Sequence, residues 1–158
     1  MTNDLMSKLP AWWVSIDPGD KNVGLSAWVG PVCVRSVHTD PDTCVDWVVR
    51  EAASGRLKLL VYEAFNLRGE LMAQQQGSEF LTSQMIGALR HICRRAGVPT
   101  KSFRPADHKG LMNRNLDFKP PRRPHNEWVS HGHGGHAKDS ENLGEYFVRT
   151  VLLKGRGY

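Results

Sequence analysis

Trp12-Trp13-Val14-Ser15-Ile16-Asp17-Pro18-Gly19-Asp20-Lys21-Asn22-Val23-Gly24 is the stretch that decides how this chain is read. Aromatic and β-branched residues favour an extended strand, and Pro18-Gly19 ends it abruptly, so Asp17 is predicted at a strand edge. An Asp in that place also serves as a turn former or a helix cap, and the segment alone leaves these uses open. Outward from it, Val23 to Val29 reads as a second strand and Val32 to His38 as a third, joined at Gly30-Pro31. Three successive strands with short connections predict an antiparallel meander.

The next segments change character. Pro41 to Ala53 places Cys44, Val45, Val48 and Val49 at helical spacing, with Thr39 or Asp40 as the N-cap and Gly55 past the end. Leu57 to Glu63 is almost continuously apolar, which predicts a strand buried on both faces of a parallel sheet, and it too stops on a carboxylate, Glu63. Phe80, Leu81, Met85, Ile86, Leu89, Ile92 and Cys93 recur at three and four residues up to Gly97, the pattern of a long central helix. Thr100 to Phe103 predicts a fifth strand, and Pro105 to about Met112 a short helix with Pro near its start. Ala137 to about Lys154 predicts a terminal helix with Leu143, Phe147, Val148, Val151 and Leu152 on one face. The fold class expected is therefore α/β, a mixed five-stranded sheet with an antiparallel meander and parallel strands, flanked by helices.

With 158 residues, the chain is expected to form a single domain, 1–158. Residues 113–135 are rich in Pro, His, Gly and Arg and are predicted to be a long basic loop within it. Lys and Arg number 21 against 16 Asp and Glu, a net charge of +5, and the isoelectric point is near 9.3. The excess is concentrated between Arg94 and Lys138, a distribution that favours a polyanionic partner. Cys33, Cys44 and Cys93 are widely spaced in apolar patterns, which supports neither a disulfide framework nor a cysteine zinc site and suits a reducing cytoplasm. No apolar run has the length of a membrane span, and the N-terminal residues lack the pattern of a signal peptide. His131, His133 and His136 invite a zinc reading, but His-x-His-x-x-His fits no closed structural site.

Metal-capable groups fall at element ends: Asp17, Glu63, and His136 with Asp139, the last two one helical turn apart. Hard divalent cations take oxygen ligands and keep several waters, so a few carboxylates and substrate phosphate oxygens suffice to hold them. The order Asp-Pro-Gly-x-x-x-x-Gly, strand-terminal Glu, central helix and terminal-helix Asp resembles the RuvC-type Holliday junction resolvases of the RNase H-like superfamily. The resemblance is carried by Asp17 to Gly24, Val61-Tyr62-Glu63, Ser83 to Gly87, Arg104 to Lys109 and His136 to Asp139. It implies that Asp17, Glu63 and Asp139 bind two divalent ions, Mg2+ with Mn2+ as substitute, and that His136 takes a fourth position where members carry Asp or His. The implied activity is paired nicking of four-way and other branched DNA by a homodimer, leaving 5′-phosphate and 3′-hydroxyl ends.

The same resemblance implies an aromatic wedge soon after the strand-terminal Glu, a place filled here by Phe65, with Leu67 as an alternative. Packing of Phe65 under its own loop is the competing expectation. Arg68, Lys109, Arg122 and Arg123 are the expected phosphate contacts, Lys109 nearest the scissile group. Leu81, Met85 and Leu89 mark a candidate dimer surface, though such a stripe also serves a monomer core. The chain departs from the family at Ser140-Glu141-Asn142, where a small apolar run is usual, and in the long insertion 113–135. Two other readings stay open: an RNase H-like nuclease of flaps, forks or RNA-DNA hybrids, and a branched-DNA-binding protein without catalysis. A phage enzyme acting in the host cytoplasm suits the small size.

Overall fold

The computed structural model describes residues 8–64, 81–112 and 135–154. Phe65, Leu67, Arg68, Arg122, Arg123 and all of the predicted basic loop except Gly135 lie outside the described residues, as does the side chain of Lys109.

Strands β1 (Trp13–Asp17), β2 (Val23–Val29) and β3 (Val32–Thr39) form the predicted meander, and β4 (Leu60–Glu63) and β5 (Thr100–Phe103) complete one sheet in the order β3-β2-β1-β4-β5. The β1–β2 and β2–β3 pairs are antiparallel, and β1–β4 and β4–β5 are parallel. Both antiparallel pairs follow from tight turns, whereas each parallel neighbour needs a crossover. β4 is shorter than its apolar run predicts: Leu57 and Leu59 are buried but precede the strand, where Lys58 N–H donates to the Trp12 carbonyl and Val14 N–H to the Leu59 carbonyl.

Among the described residues, four helices flank the sheet: α1 (Pro41–Ala53), α2 (Leu81–Arg95), α3 (Pro105–Met112) and α4 (His136–Lys154). Of the two N-cap residues that the sequence allows for α1, Asp40 does the work, its carboxylate accepting the Thr43 N–H at 2.9 Å. Gly55 and Gly97, at φ of 71° and 69°, follow the ends of α1 and α2 in a backbone region that suits glycine.

Alternation along the strands sorts side chains to two faces. Val14, Ile16, Val23, Leu25, Leu60 and Tyr62 point to one face, where α1 contributes Cys44, Val48 and Ala52 and α2 contributes Met85, Leu89 and Cys93. Trp13, Trp28 and Val61 point to the other, against Leu143, Phe147 and Val148 of α4. Met85 and Leu89 are therefore in the monomer core and unavailable as a partner surface, which corrects the dimer expectation for those two; Leu81 remains exposed.

Candidate active site

Asp17 and Glu63 end β1 and β4 on the face that α4 covers. The parallel register pairs Ile16 with Tyr62, so the next step along both strands brings Asp17 beside Glu63. Because alternate residues share a face, Asp17 goes with Trp13 and Ser15, and Glu63 with Val61.

The first turn of α4 is brought to these carboxylates by close backbone approach. Gly24 is the register partner of Asp17, and a Cβ there would lie 1.8 Å from the His136 carbonyl oxygen. Two turns on, a Cβ at Gly144 would lie 2.2 Å from the Trp28 ring. Only glycine permits the helix to lie this low on β2. Trp28 is itself fixed by stacking on Trp13, ring centroids 4.9 Å apart, and Trp13 meets the edge of Phe147.

A buried hydroxyl network locks the position. Trp28 Nε1 donates to Ser15 Oγ at 2.9 Å, and Ser15 Oγ donates to the Ser140 carbonyl at 2.6 Å. Ser140 Oγ donates to the Ala137 carbonyl, so the 2.7 Å contact with Ser26 Oγ has Ser26 as donor, and Ser36 in turn donates to Ser26 at 2.8 Å. The Ser15, Ser26 and Ser140 hydroxyls each both donate and accept, the condition under which a buried polar network fixes one arrangement. Ser140, a departure from the small apolar run of RuvC-type sequences, thus ties α4 to β1 and β2.

Each strand-terminal carboxylate is met by a histidine. His136 Nδ1 lies 2.7 Å from Asp17 Oδ2, and His108 Nε2 lies 2.5 Å from Glu63 Oε2. His136 is partly open to solvent and stands 6.1 Å, ring to ring, from His38; His108 is almost fully buried. Burial pushes the Asp17 carboxyl up to about 6, with the hydrogen bond from His136 opposing the rise and the negative charges of Glu63 and Asp139 adding to it. Asp139 is half-buried in the first turn of α4, its N–H donating to the Gly135 carbonyl. Asp17, Glu63, His136 and Asp139 are thus brought to one end of one sheet face.

Among the described residues, no three metal-capable side chains converge closely enough to chelate an ion in this arrangement. The strand carboxylates are instead engaged by His136 and His108. The donor set nonetheless fits a hard divalent cation: Asp17, Glu63 and Asp139 bring carboxylates to one place, and the burial that raises Asp17, together with the added repulsion of the other two, is what a bound cation offsets.

His108 is the residue that sequence reading missed. The segment Arg104 to Lys109 drew notice for its basic Lys109, while the imidazole beside it makes the contact with Glu63. Its neighbours were the available signal: Pro105 at the first helical position and Asp107 at the third, which accepts the Arg104 N–H at 2.9 Å, mark a well-defined helix start directly after β5. Glu141 is buried further along α4, near Cys33, and burial pushes that thiol up to about 11, with the Glu141 charge adding to the rise.

The fold, a mixed five-stranded sheet with flanking helices, is the RNase H-like one of RuvC structures, as comparison with solved structures shows. RuvC of T. thermophilus in complex with Holliday junction substrate matches over 92% of this chain and 96% of its own, with a TM-score of 0.59 at 15% identity. The yeast mitochondrial Holliday junction resolvase Ydc2 matches over 96% of this chain and 85% of its own, with a TM-score of 0.58 at 12% identity. A second Thermus thermophilus RuvC structure, over 92% of this chain and 96% of its own, gives 0.50 at 14% identity. No protein-family model and no curated protein sequence matches the chain. Among the described residues, no helix is long and apolar enough to cross a membrane.

Proposed function

We propose that this chain is a metal-dependent endonuclease that nicks branched DNA, four-way junctions above all. The observation that carries the reading is the placement of Asp17 and Glu63 side by side at strand ends, under a helix whose first turn delivers His136 and Asp139. The likeness in fold to RuvC bound to Holliday junction substrate supports the choice of substrate.

In this reading Asp17, Glu63 and Asp139 hold Mg2+ or Mn2+, with His136 at the fourth position. A pair of such ions, when bound, lowers the pKa of the attacking water and stabilises the leaving oxygen of an in-line displacement. The chain's own residues do the positioning. Buried Ser15, Ser26 and Ser140 keep α4 in register with β1 and β2, which fixes His136 and Asp139 relative to Asp17. His136 orients the Asp17 carboxylate through Nδ1, which leaves Nε2 as the nitrogen to contact a cation or, alternatively, to assist the attacking water. Hydrolysis then leaves 5′-phosphate and 3′-hydroxyl ends.

Phe65, or Leu67, is proposed to wedge between bases at the branch, with Arg68, Lys109, Arg122 and Arg123 on backbone phosphates. Two copies acting together account for paired nicks in a symmetric junction. The whole chain is read as one nuclease unit, acting in the cytoplasm, in a phage-infected host on the narrower reading.

Incubating labelled four-way junction, linear duplex, flap, fork and RNA-DNA hybrid with the protein in Mg2+ or Mn2+ tests this directly. Paired symmetric nicks confined to the junction are expected. Equal cutting of flaps, forks or hybrids moves the assignment to a broader RNase H-like nuclease. Tight junction binding with no metal-dependent cutting overturns the enzyme and leaves a binding protein.

A further inference from the structure

The geometry points to His108 as a positioning residue that holds one oxygen of Glu63 and so fixes the orientation in which that carboxylate meets a cation, an inference that rests on the metal-site reading above. Three observations carry it. His108 Nε2 stands 2.5 Å from Glu63 Oε2, and because an ionised carboxylate only accepts, the imidazole donates and takes one of that oxygen's lone pairs, which fixes how the carboxylate is turned. The His108 side chain is 3% exposed against 18% for Glu63, so the donor comes from the protein side, while Glu63 stays close enough to Asp17 for its charge to be felt there. The imidazole is held from several directions. The α3 start is fixed by the Asp107–Arg104 cap, and Tyr146 of α4 lies 6.3 Å from the His108 ring while its ring meets the edge of Phe103.

A buried polar side chain contributes little to a core that an apolar residue would fill as well. Here the same imidazole joins α3, β4 and α4 around one functional carboxylate. Hydrogen-bonded partners of metal-binding carboxylates set ligand orientation, and their loss typically weakens metal affinity by about 10- to 100-fold. His136 performs the matching service for Asp17, but from the solvent side; His108 does so from within the fold.

The test is Mn2+ binding by the full chain without DNA, followed by calorimetry, for wild type, His108→Gln, His108→Asn and His108→Leu, with melting temperatures recorded alongside. Gln places its amide N–H close to where Nε2 lies, whereas the shorter Asn does not reach and Leu has no donor. The expected order is wild type and His108→Gln within about threefold of each other, and His108→Asn and His108→Leu weaker by about 10- to 100-fold. The same ranking is expected in the Mn2+ concentration needed for half-maximal junction cleavage. If Asn and Leu lower the melting temperature but bind Mn2+ as wild type does, His108 is structural only and the proposal falls. Should Leu fail to fold, the contrast between Gln and Asn decides. Wild type that binds no Mn2+ removes the metal reading itself, a failure distinct from equal binding by all four proteins.

Discussion

The two faces of the sheet do different work. The face under α1 and α2 is packed with hydrocarbon and cysteine sulfur, as with Val14, Ile16, Val48, Leu60 and Leu89. The face under α4 begins in the same way around Trp13, Trp28 and Phe147, then turns polar through Ser15, Ser26 and Ser140 and ends on crowded carboxylates. The first face stabilises the fold by burying apolar area. The second gives up part of that gain to hold a helix in one register beside groups that repel each other, which is the usual cost of a functional site.

The largest effect expected from this division is on the hydrocarbon face. Leu89→Ala removes a fully buried side chain and should cost about 2–5 kcal/mol in chemical denaturation, while the folded fraction keeps wild-type Mn2+ affinity. A loss of metal affinity beyond the unfolded fraction would mean that the faces are not separable.

Asp17→Asn should do the reverse. The folded-state pKa of about 6 lies above the ordinary 3.8, so the folded protein keeps a proton that the unfolded chain releases. Stability from this group is full below 3.8 and falls as pH rises to about 6, amounting to a deficit on the order of 3 kcal/mol at neutral pH without metal. Asp17→Asn should therefore be the more stable protein at pH 7 and lose the Asp17 part of the pH 4–6 slope, yet show no cleavage. Equal stability of the two proteins from pH 4 to 7 would contradict the burial assigned to Asp17.

Gly24→Ala sharpens the comparison at the point where β2 meets α4. The added methyl collides with the His136 carbonyl, so the first turn of α4 must move. A destabilisation of about 1–3 kcal/mol is expected, with a disproportionate fall in cleavage by the protein that remains folded. Wild-type turnover in the folded fraction would show that the low seat of α4 is unnecessary.

These differences also explain what was readable in the sequence. The meander, α1 with its Asp40 cap and the terminal glycines rest on local signals, since alternation, capping and turns act over a few residues. Asp17 and Glu63 were legible because each closes an apolar run. His108 was not, because its importance arises only when β4 lies next to the helix following β5. Ser140 looked like a defect in a pattern until α4 was seen lying on Ser15 and Ser26. The stripe on α2 showed that a face is apolar but not what covers it, and Met85 and Leu89 turn inward to the monomer's own sheet.

The central claim is that the polar end of the α4 face is a cation site built on Asp17. The most direct measurement is the melting temperature at pH 7.5, with and without Mn2+, of wild type and Asp17→Asn. At about 100 times the dissociation constant, binding to the folded state alone is worth about 2.7 kcal/mol, a rise of roughly 5–10 °C for a chain of this size. That rise is expected in wild type, and in Asp17→Asn a higher metal-free melting temperature that Mn2+ leaves nearly unchanged. Equal Mn2+ shifts in both proteins, or none in wild type, would contradict the claim.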